Sequence, residues 1–508
     1  MKILDCTLRD GGYYTNWDFD DKTVDAYIEA MNVLPIDYLE LGYRNLPSSE
    51  YLGKFGYCPV SVLKNIRSKC SKKLVVMLNE KSTRPEDLPE LLQPIIGFVD
   101  MIRLAIDPKN FDRALILAKA VKSMGFEVGF NTMYMSKWSE YEGFLDKLSM
   151  LNGVADLFCM VDSFGGVMPD DVREMTHLVK SKTDCHIGFH GHNNLQMGLI
   201  NTLVAIEEGC EFVDATILGM GRGAGNLNME LLLTALNKQG LDVDFNVLSD
   251  VVAAFQPLMK KHQWGTALPY MLSGANSIPQ KEVMDWVCNR VYSFNSIIRA
   301  LNNKKNHVAD NARYPIWKAP HAEQVLIIGG GPTVIEHKDA IIEFLRKYPT
   351  TVLVFATARH AELFVDICNP KVYCLVGSEA KRMTQTVRAE QFDGIVVLPP
   401  YPRTMGTDVP SYAENSTYEL PEIAFSKEYL DSCTAISLKV SIEMQAKRTY
   451  IVGYDGYRGG VLSEKEMELT NENRTLFDAY KQFTGVSLVS LTPSIYTSLE
   501  VKSIYQFI

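Results

Sequence analysis

Cys185-His186-Ile187-Gly188-Phe189 runs directly into His190-Gly191-His192-Asn193-Asn194. The first five residues form a short apolar run after the polar, turn-like Lys182, Thr183 and Asp184, and they read as a β-strand. On a strand, His190 and His192 project to the same side, and two imidazoles placed so at a strand end can ligate one metal ion. Taken alone, the pair reads more readily as polar loop histidines. Its surroundings shift that balance. A helix-like segment precedes it, Pro169–Lys180, opened by Pro169-Asp170-Asp171, and another follows, Gln196–Glu208, stopped by Gly209.

Moving outward, the same alternation continues. Strand-like runs fall at Ile3–Leu8, Tyr38–Leu41, Leu74–Leu78, Val99–Ile106, Glu127–Asn131, Leu157–Val161, His186–Phe189 and Phe212–Ile217. Amphipathic segments between them include Asp20–Met31, Pro85–Leu92, Asn110–Met124 and Ser139–Leu151. About eight strand–helix alternations imply parallel strands with crossover helices, and so an α/β fold with a closed (β/α)8 TIM barrel over residues 1–240. An open doubly wound sheet is the alternative. Residues 241–320 read as a helical extension and linker: Val247–Lys261 and Glu282–Leu301 are helix-like, and Asn302–Asn306 and Asp310–Pro315 are polar and turn-rich. Residues 321–508 read as a separate Rossmann-like α/β domain.

Composition sets the class. The chain has 508 residues, 46% hydrophobic and 22% charged, which suits a globular protein of more than one domain. A formal charge of −10 argues against a nucleic-acid or anionic-membrane surface. The ten cysteines include no C-x-x-C pair, and several lie in apolar runs, as expected for reduced thiols. Met1-Lys2-Ile3-Leu4-Asp5 does not read as a signal peptide, and no apolar run is long enough to span a bilayer. A cytoplasmic homo-oligomer acting on a small molecule is expected.

In such a barrel the chemistry gathers at the carboxyl ends of the strands. Those ends offer Arg9 and Asp10, Glu40 and Arg44, Asn79, Arg103, Asp162, then His190 and His192, and finally the loop Gly219-Met220-Gly221-Arg222-Gly223-Ala224-Gly225-Asn226. A mixed nitrogen and oxygen set without thiolate suits Mn²⁺ or Mg²⁺ better than Zn²⁺. Glu40, Arg103 and Asp162 are candidates for substrate binding, or else ion pairs that support the site. The glycine loop is a phosphate cradle or simply a tight turn.

Thr7-Leu8-Arg9-Asp10-Gly11-Gly12, His190-Gly191-His192-Asn193-Asn194 and Gly223-Ala224-Gly225-Asn226 together resemble the pyruvate-carboxylyase-like (HMG-CoA lyase-like) barrel family across roughly residues 1–300. That family holds 4-hydroxy-2-oxovalerate aldolases, hydroxymethylglutaryl-CoA lyases, and isopropylmalate and homocitrate synthases. Val213-Asp214-Ala215-Thr216 looks most like the aldolase branch. The resemblance implies Asp10, His190 and His192 as metal ligands with Asn226 at the metal, a 2-keto acid substrate chelating it, and Arg9 stabilising the enolate oxygen. Without the resemblance, Arg9 and Asp10 read as a local ion pair closing a turn. Carbon–carbon cleavage next to a ketone needs an electron sink, and a Lewis-acid metal with a guanidinium supplies one.

One position departs from the pattern. Where the aldolases carry a proton-moving His, and the synthases usually Gln, this chain has Tyr13, and a tyrosine is ordinarily a poor base at neutral pH. Tyr13 is therefore the acid/base, a substrate contact, or the mark of an altered reaction. Among other histidines, His186 belongs at the far end of its strand, His177 on a helix face, and His262 in the helical extension. Tyr270, in that extension, reads as a substrate contact or a core aromatic. The expected activity is an aldolase-like lyase; a Claisen-type synthase and a catalytically altered scaffold or sensor are the alternatives.

In the C-terminal region, Gln324–Ile328 runs into Gly329-Gly330-Gly331-Pro332-Thr333 and a helix-like Val334–Lys347, with further strands at Val352–Ala356, Val372–Val376, Gly394–Leu398 and Thr449–Val452. Gly329, Gly330 and Gly331 are candidates for a nucleotide-type ligand, with a phosphate at the helix N-terminus. Phe355-Ala356-Thr357-Ala358 offers no acidic residue for a nicotinamide ribose. Gly329–Thr333 with Ile451-Val452-Gly453-Tyr454-Asp455 is faintly similar to bacterial domains that transfer sugars from sugar nucleotides; a scaffold or dimerisation role is the alternative.

Overall fold

A computed structural model describes residues 1–48, 51–288, 294–307, 313–377, 379–403, 408–457 and 464–508. It divides into two compact units, Met1–Met284 and Asp285–Ile508.

The first unit is a closed barrel of eight parallel strands. In chain order they are β1 (Lys2–Asp5), β2 (Tyr38–Tyr43), β3 (Lys73–Asn79), β4 (Met101–Ile106), β5 (Glu127–Thr132), β6 (Leu157–Asp162), β7 (His186–Gly191) and β8 (Phe212–Ala215). Closure is made by β1 against β8, in the register Lys2↔Phe212 to Asp5↔Ala215. Alternation along the strands sorts their side chains. Ile3 packs outward into the large core shared with the helices, whereas Leu4, Tyr38, Val75, Met101, Leu157 and Phe212 fill the barrel interior, forming a packed plug rather than a pore. The TIM barrel read from the sequence is the observed fold.

Local structure differs from the sequence reading in three places. The strand expected over Ile3–Leu8 stops at Asp5, and Thr7–Thr15 is a helix. Asp5 accepts the Thr7 N–H at 2.8 Å and the Thr7 hydroxyl at 2.9 Å, which turns the chain out of the sheet. Gly11 and Gly12 sit inside this helix despite their poor propensity because there is no room for a side chain. A Cβ at Gly11 would lie 2.5 Å from Met220 Sδ, and one at Gly12 would lie 2.1 Å from the Trp17 indole. The segment expected as a helix over Ser139–Leu151 instead forms 3-10 turns, Met135–Glu140 and Leu145–Leu151.

The extension begins with the helices Phe245–His262 and Leu268–Ala275. Of the helix expected at Glu282–Leu301, parts appear as Gln280–Cys288 and Phe294–Lys305, while 289–293 lie outside the described residues. Asn302–Lys305, expected in the linker, continue the second of these helices; 310–312 also lie outside the described residues.

The second unit is built on one parallel sheet. Its strands are β9 (Gln324–Ile328), β10 (Val352–Phe355), β11 (Lys371–Cys374), β12 (Ile395–Leu398), β13 (Thr417–Glu419), β14 (Arg448–Val452), β15 (Val489–Ser490) and β16 (Glu500–Val501). They lie in the order β13-β12-β11-β10-β9-β14-β15-β16. Val325 and Ile327 pack on one face and Leu326 and Ile328 on the other, so both faces are covered, as in doubly wound sheets. The strand order reverses between β9 and β14, which is where such sheets form a crevice.

Candidate active site

The helix Thr7–Thr15 carries the first site residues to the barrel mouth. Arg9 and Tyr13 stand four apart and Asp10 and Tyr13 three apart, a spacing that puts them on neighbouring positions of one helix face. Asp10 is buried; it pairs with Arg9 and accepts a hydrogen bond from Asn226 Nδ2 at 2.7 Å. Burial on its own would raise the Asp10 carboxyl, but Arg9 and the imidazoles of His190 and His192 outweigh it and hold the pKa below the usual carboxylate value.

His190 is the last residue but one of β7, and His192 follows the strand, bridged through the backbone to Asn226. Their rings meet edge to face with centroids 4.9 Å apart. Nδ1 of His192 lies 2.7 Å from the backbone oxygen of Asp162, which can only accept, so this nitrogen carries the proton. Nδ1 of His190 lies 2.9 Å from Asp214 Oδ2. Burial raises the Asp214 carboxyl, yet Arg103 and then His190 prevail and bring it to about 2; it is ionised and accepts. With Nδ1 protonated, both rings present a basic Nε2, as a metal-ligating imidazole must. Burial also lowers the His192 pKa to about 3, keeping that ring neutral.

The donor types of Asp10, His190, His192 and Asn226 suit a divalent cation. Nε2 of His190 lies 3.6 Å from Asp10 Oδ2, too long for a hydrogen bond. Asn226 Oδ1 is buried and has no hydrogen-bond partner among the described residues, a costly state unless a ligand satisfies it. Cys6, His190 and Asp214 also cluster, with ligand atoms within 4.8 Å of one another. That group uses the His190 nitrogen already given to Asp214. Burial holds the Cys6 thiol well above its ordinary pKa, and Cys6 donates towards Ala215 O at 3.7 Å.

Behind the mouth runs a buried ion chain. Arg9 Nε donates to Glu40 Oε2 at 2.6 Å; Arg103 donates to Glu40 Oε1 at 3.4 Å, to Asn131 Oδ1 at 2.6 Å and to Asp214 Oδ2 at 2.7 Å. Glu40 and Arg103 have 0% exposure, so the structure places these two candidate substrate contacts beneath the site, holding Arg9 and Asp214. Asp162 accepts the N–H groups of Gly166 and Val167 at 3.1 and 3.4 Å, and burial raises its pKa to about 7. Asp214, Asn131 and Tyr43 escaped the sequence reading as site residues, because their roles rest on partners distant in sequence.

At the outer edge, the Tyr13 and Tyr43 hydroxyls are 2.9 Å apart, and Trp17 meets both rings. Arg222 places its guanidinium carbon 4.3 Å from the centre of the Tyr13 ring. Its loop turns tightly: Gly219, Gly223 and Gly225 all have positive φ, and the amides of Gly219, Met220, Gly225 and Asn226 bond within the segment 216–226. Tyr270 is buried; its carbonyl accepts from Asn194 at 2.8 Å, and its ring packs over Gly223. His186 and His177 pair with Glu211 and Glu208 away from the mouth, and the His262 ring lies 5.7 Å from that of Tyr14.

In the second unit, Gly329, Gly330 and Gly331 line a cavity of about 510 Å³ at the β9–β14 switch point. The amides of Gly329 and Gly331 donate to Val452 O and Gly453 O, each at 2.8 Å, and Asp455 accepts the Thr333 N–H at 3.0 Å. Three amides suited to a phosphate are thus occupied, and the Asp455 carboxylate sits where the anion would.

Among the described residues, no helix is long and apolar enough to cross a membrane. A family model described as HMGL-like matches residues 104–254. Oxaloacetate decarboxylase of Mycobacterium tuberculosis is 28% identical over 248 residues, 47% of this chain and 70% of that protein. 4-Hydroxy-2-oxovalerate aldolase of Thermomicrobium roseum is 30% identical over 260 residues, 50% of this chain and 71% of that protein. The crystal structure of the N-terminal domain of a candidate aldolase from Bacteroides vulgatus is 69% identical and has a TM-score of 0.57, covering 59% of this chain and all of that one. This degree of shared sequence places the chain in the HMGL-like family.

Proposed function

We propose that the barrel is a divalent-metal-dependent lyase that cleaves or forms a carbon–carbon bond of a 2-keto acid through an enolate. The observation that carries this is the convergence of Asp10, two Nε2-presenting histidines and the orphaned Asn226 Oδ1 beside Arg9. Relatives named as an aldolase and as a decarboxylase support the class. Asp10, His190, His192 and Asn226 would hold the ion, and their nitrogen and oxygen donors favour Mn²⁺ or Mg²⁺ over Zn²⁺. A bound ion supplies Lewis-acid polarisation of the keto group.

The chain's own residues do the rest. Arg9 is fixed by Glu40 through Nε and by Asp10 through Nη1, while Nη2 has no hydrogen bond among the described residues. That remaining donor is the one available to the oxygen on which enolate charge grows. Tyr13, on the same helix face, is the proposed acid/base for the substrate hydroxyl, with the Tyr43 hydroxyl 2.9 Å away as its proton partner. The test is metal analysis of the purified protein, followed by pyruvate release from a panel of 4-hydroxy-2-keto acids with Mn²⁺. Metal-dependent release is expected; a metal-loaded protein that releases no pyruvate from any of them overturns the reading.

A further inference from the structure

Arg222 differs from the other arginines around this mouth. Arg9 and Arg103 each bind carboxylates, and Arg44 is tied to the carbonyls of Leu91, Tyr57 and Cys58. The Arg222 guanidinium has neither an ion pair nor a hydrogen bond among the described residues. It is half-buried, with its guanidinium carbon 4.3 Å from the centre of the Tyr13 ring. Its five N–H donors are therefore open to a ligand that reaches the mouth.

The backbone fixes Arg222 there. A Cβ at Gly221 would come within 2.7 to 2.9 Å of the Asn226 amide, so only glycine lets the loop press against that side chain. Gly223 follows with φ of +60°, and the Gly225 N–H bonds the Arg222 carbonyl at 3.0 Å. Arg222 is therefore held one residue from the Asn226 contact, over Tyr13, at the rim of the cluster formed by Asp10, His190 and His192. Asp10, the carboxylate nearest in charge, is already committed to Arg9 and Asn226.

We infer that Arg222 receives a second carboxylate of the substrate, which makes the substrate a keto diacid: one carboxylate beside the ketone and one at the far end. The inference rests on the lyase reading above. A single uncompensated guanidinium matches a monoanion, and its planar fork suits a carboxylate. The cation–π contact with Tyr13 holds the guanidinium over the ring without using its N–H donors.

The experiment is equilibrium binding to the full chain with saturating Mn²⁺, followed by calorimetry. Two matched pairs are compared, 2-oxoglutarate with 2-oxopentanoate and 2-oxoadipate with 2-oxohexanoate, which differ only in the terminal carboxylate. In at least one pair the diacid is expected to bind about 10- to 100-fold tighter, the range for a charge-assisted hydrogen bond. Arg222→Gln is expected to abolish that preference and Arg222→Lys to keep part of it. Equal binding within both pairs, or a preference that survives Arg222→Gln, overturns the inference. If hydroxyketo acids are still cleaved in that case, the lyase reading stands without it. If no keto acid binds and none is cleaved, both fall.

Discussion

Asp214 and His190 stand 24 residues apart in the chain and 2.9 Å apart in the barrel, and their hydrogen bond sets which His190 nitrogen is basic. The same carboxylate oxygen takes the Arg103 guanidinium at 2.7 Å. Asp214 therefore couples the imidazole tautomer to a buried cation. Asp214→Asn is expected to weaken metal binding by about 10- to 100-fold and to lower stability by about 3–5 kcal/mol, since it leaves Arg103 short of its counter-charge. Metal titration by calorimetry and urea denaturation of the same variant check both effects.

Asp10→Asn tests the proposed ligand set directly. The carboxamide keeps the volume but loses the charge that faces His190 and His192. Metal affinity should collapse while the circular dichroism spectrum is retained. Unchanged metal content in the purified variant would remove Asp10 from the site.

Tyr13→Phe separates acid/base chemistry from binding. Removing the hydroxyl that meets Tyr43 is expected to lower kcat by about 10²- to 10⁴-fold with metal affinity unaltered. Tyr43→Phe should cost less, because Tyr13 keeps its own hydroxyl. Steady-state kinetics with Mn²⁺ present would show the split; a change in KM alone would make Tyr13 a binding residue.

Asp162 links stability to pH. Burial raises its folded-state pKa to about 7, from an ordinary 3.8. As pH rises, the unfolded chain releases this proton first, so the group's contribution is greatest below about pH 4 and is lost progressively up to about pH 7. Asp5, raised to about 6 by burial, acts in the same direction over a narrower window. The difference in urea midpoint between wild type and Asp162→Asn should therefore change across pH 4–7 and level off above it. A constant difference would show that the buried carboxyl does not titrate there.

The barrel was legible because its strands are apolar runs separated by amphipathic helices, and a period of that kind survives without any tertiary information. Within the mouth, His190 and His192 announced themselves by spacing. Arg9 and Asp10 were legible as residues but not as part of a helix: Thr7 and Leu8 look strand-like, and Gly11-Gly12 argues locally against a helix that packing against Met220 and Trp17 requires. The supporting pairs were hidden for a different reason. Arg103 and Asp214 are 111 residues apart, and Tyr13 and Tyr43 are 30 apart; only strand order brings them together. In the second sheet, β15 and β16 have two residues each, too few to leave a periodic signal.

The seam between β1 and β8 has a consequence for how the protein matures. Asp10 is delivered just after the first strand, His190 and His192 come from the seventh, and Asn226 follows the eighth. Until Lys2–Asp5 pairs with Phe212–Ala215, these donors belong to opposite ends of an open ribbon. Capture of the proposed cation would then be a late event, favouring the closed ring over every partly assembled form. Chelation should speed ring opening more than it disturbs any single helix, and the ion would act as a clasp as well as a reagent.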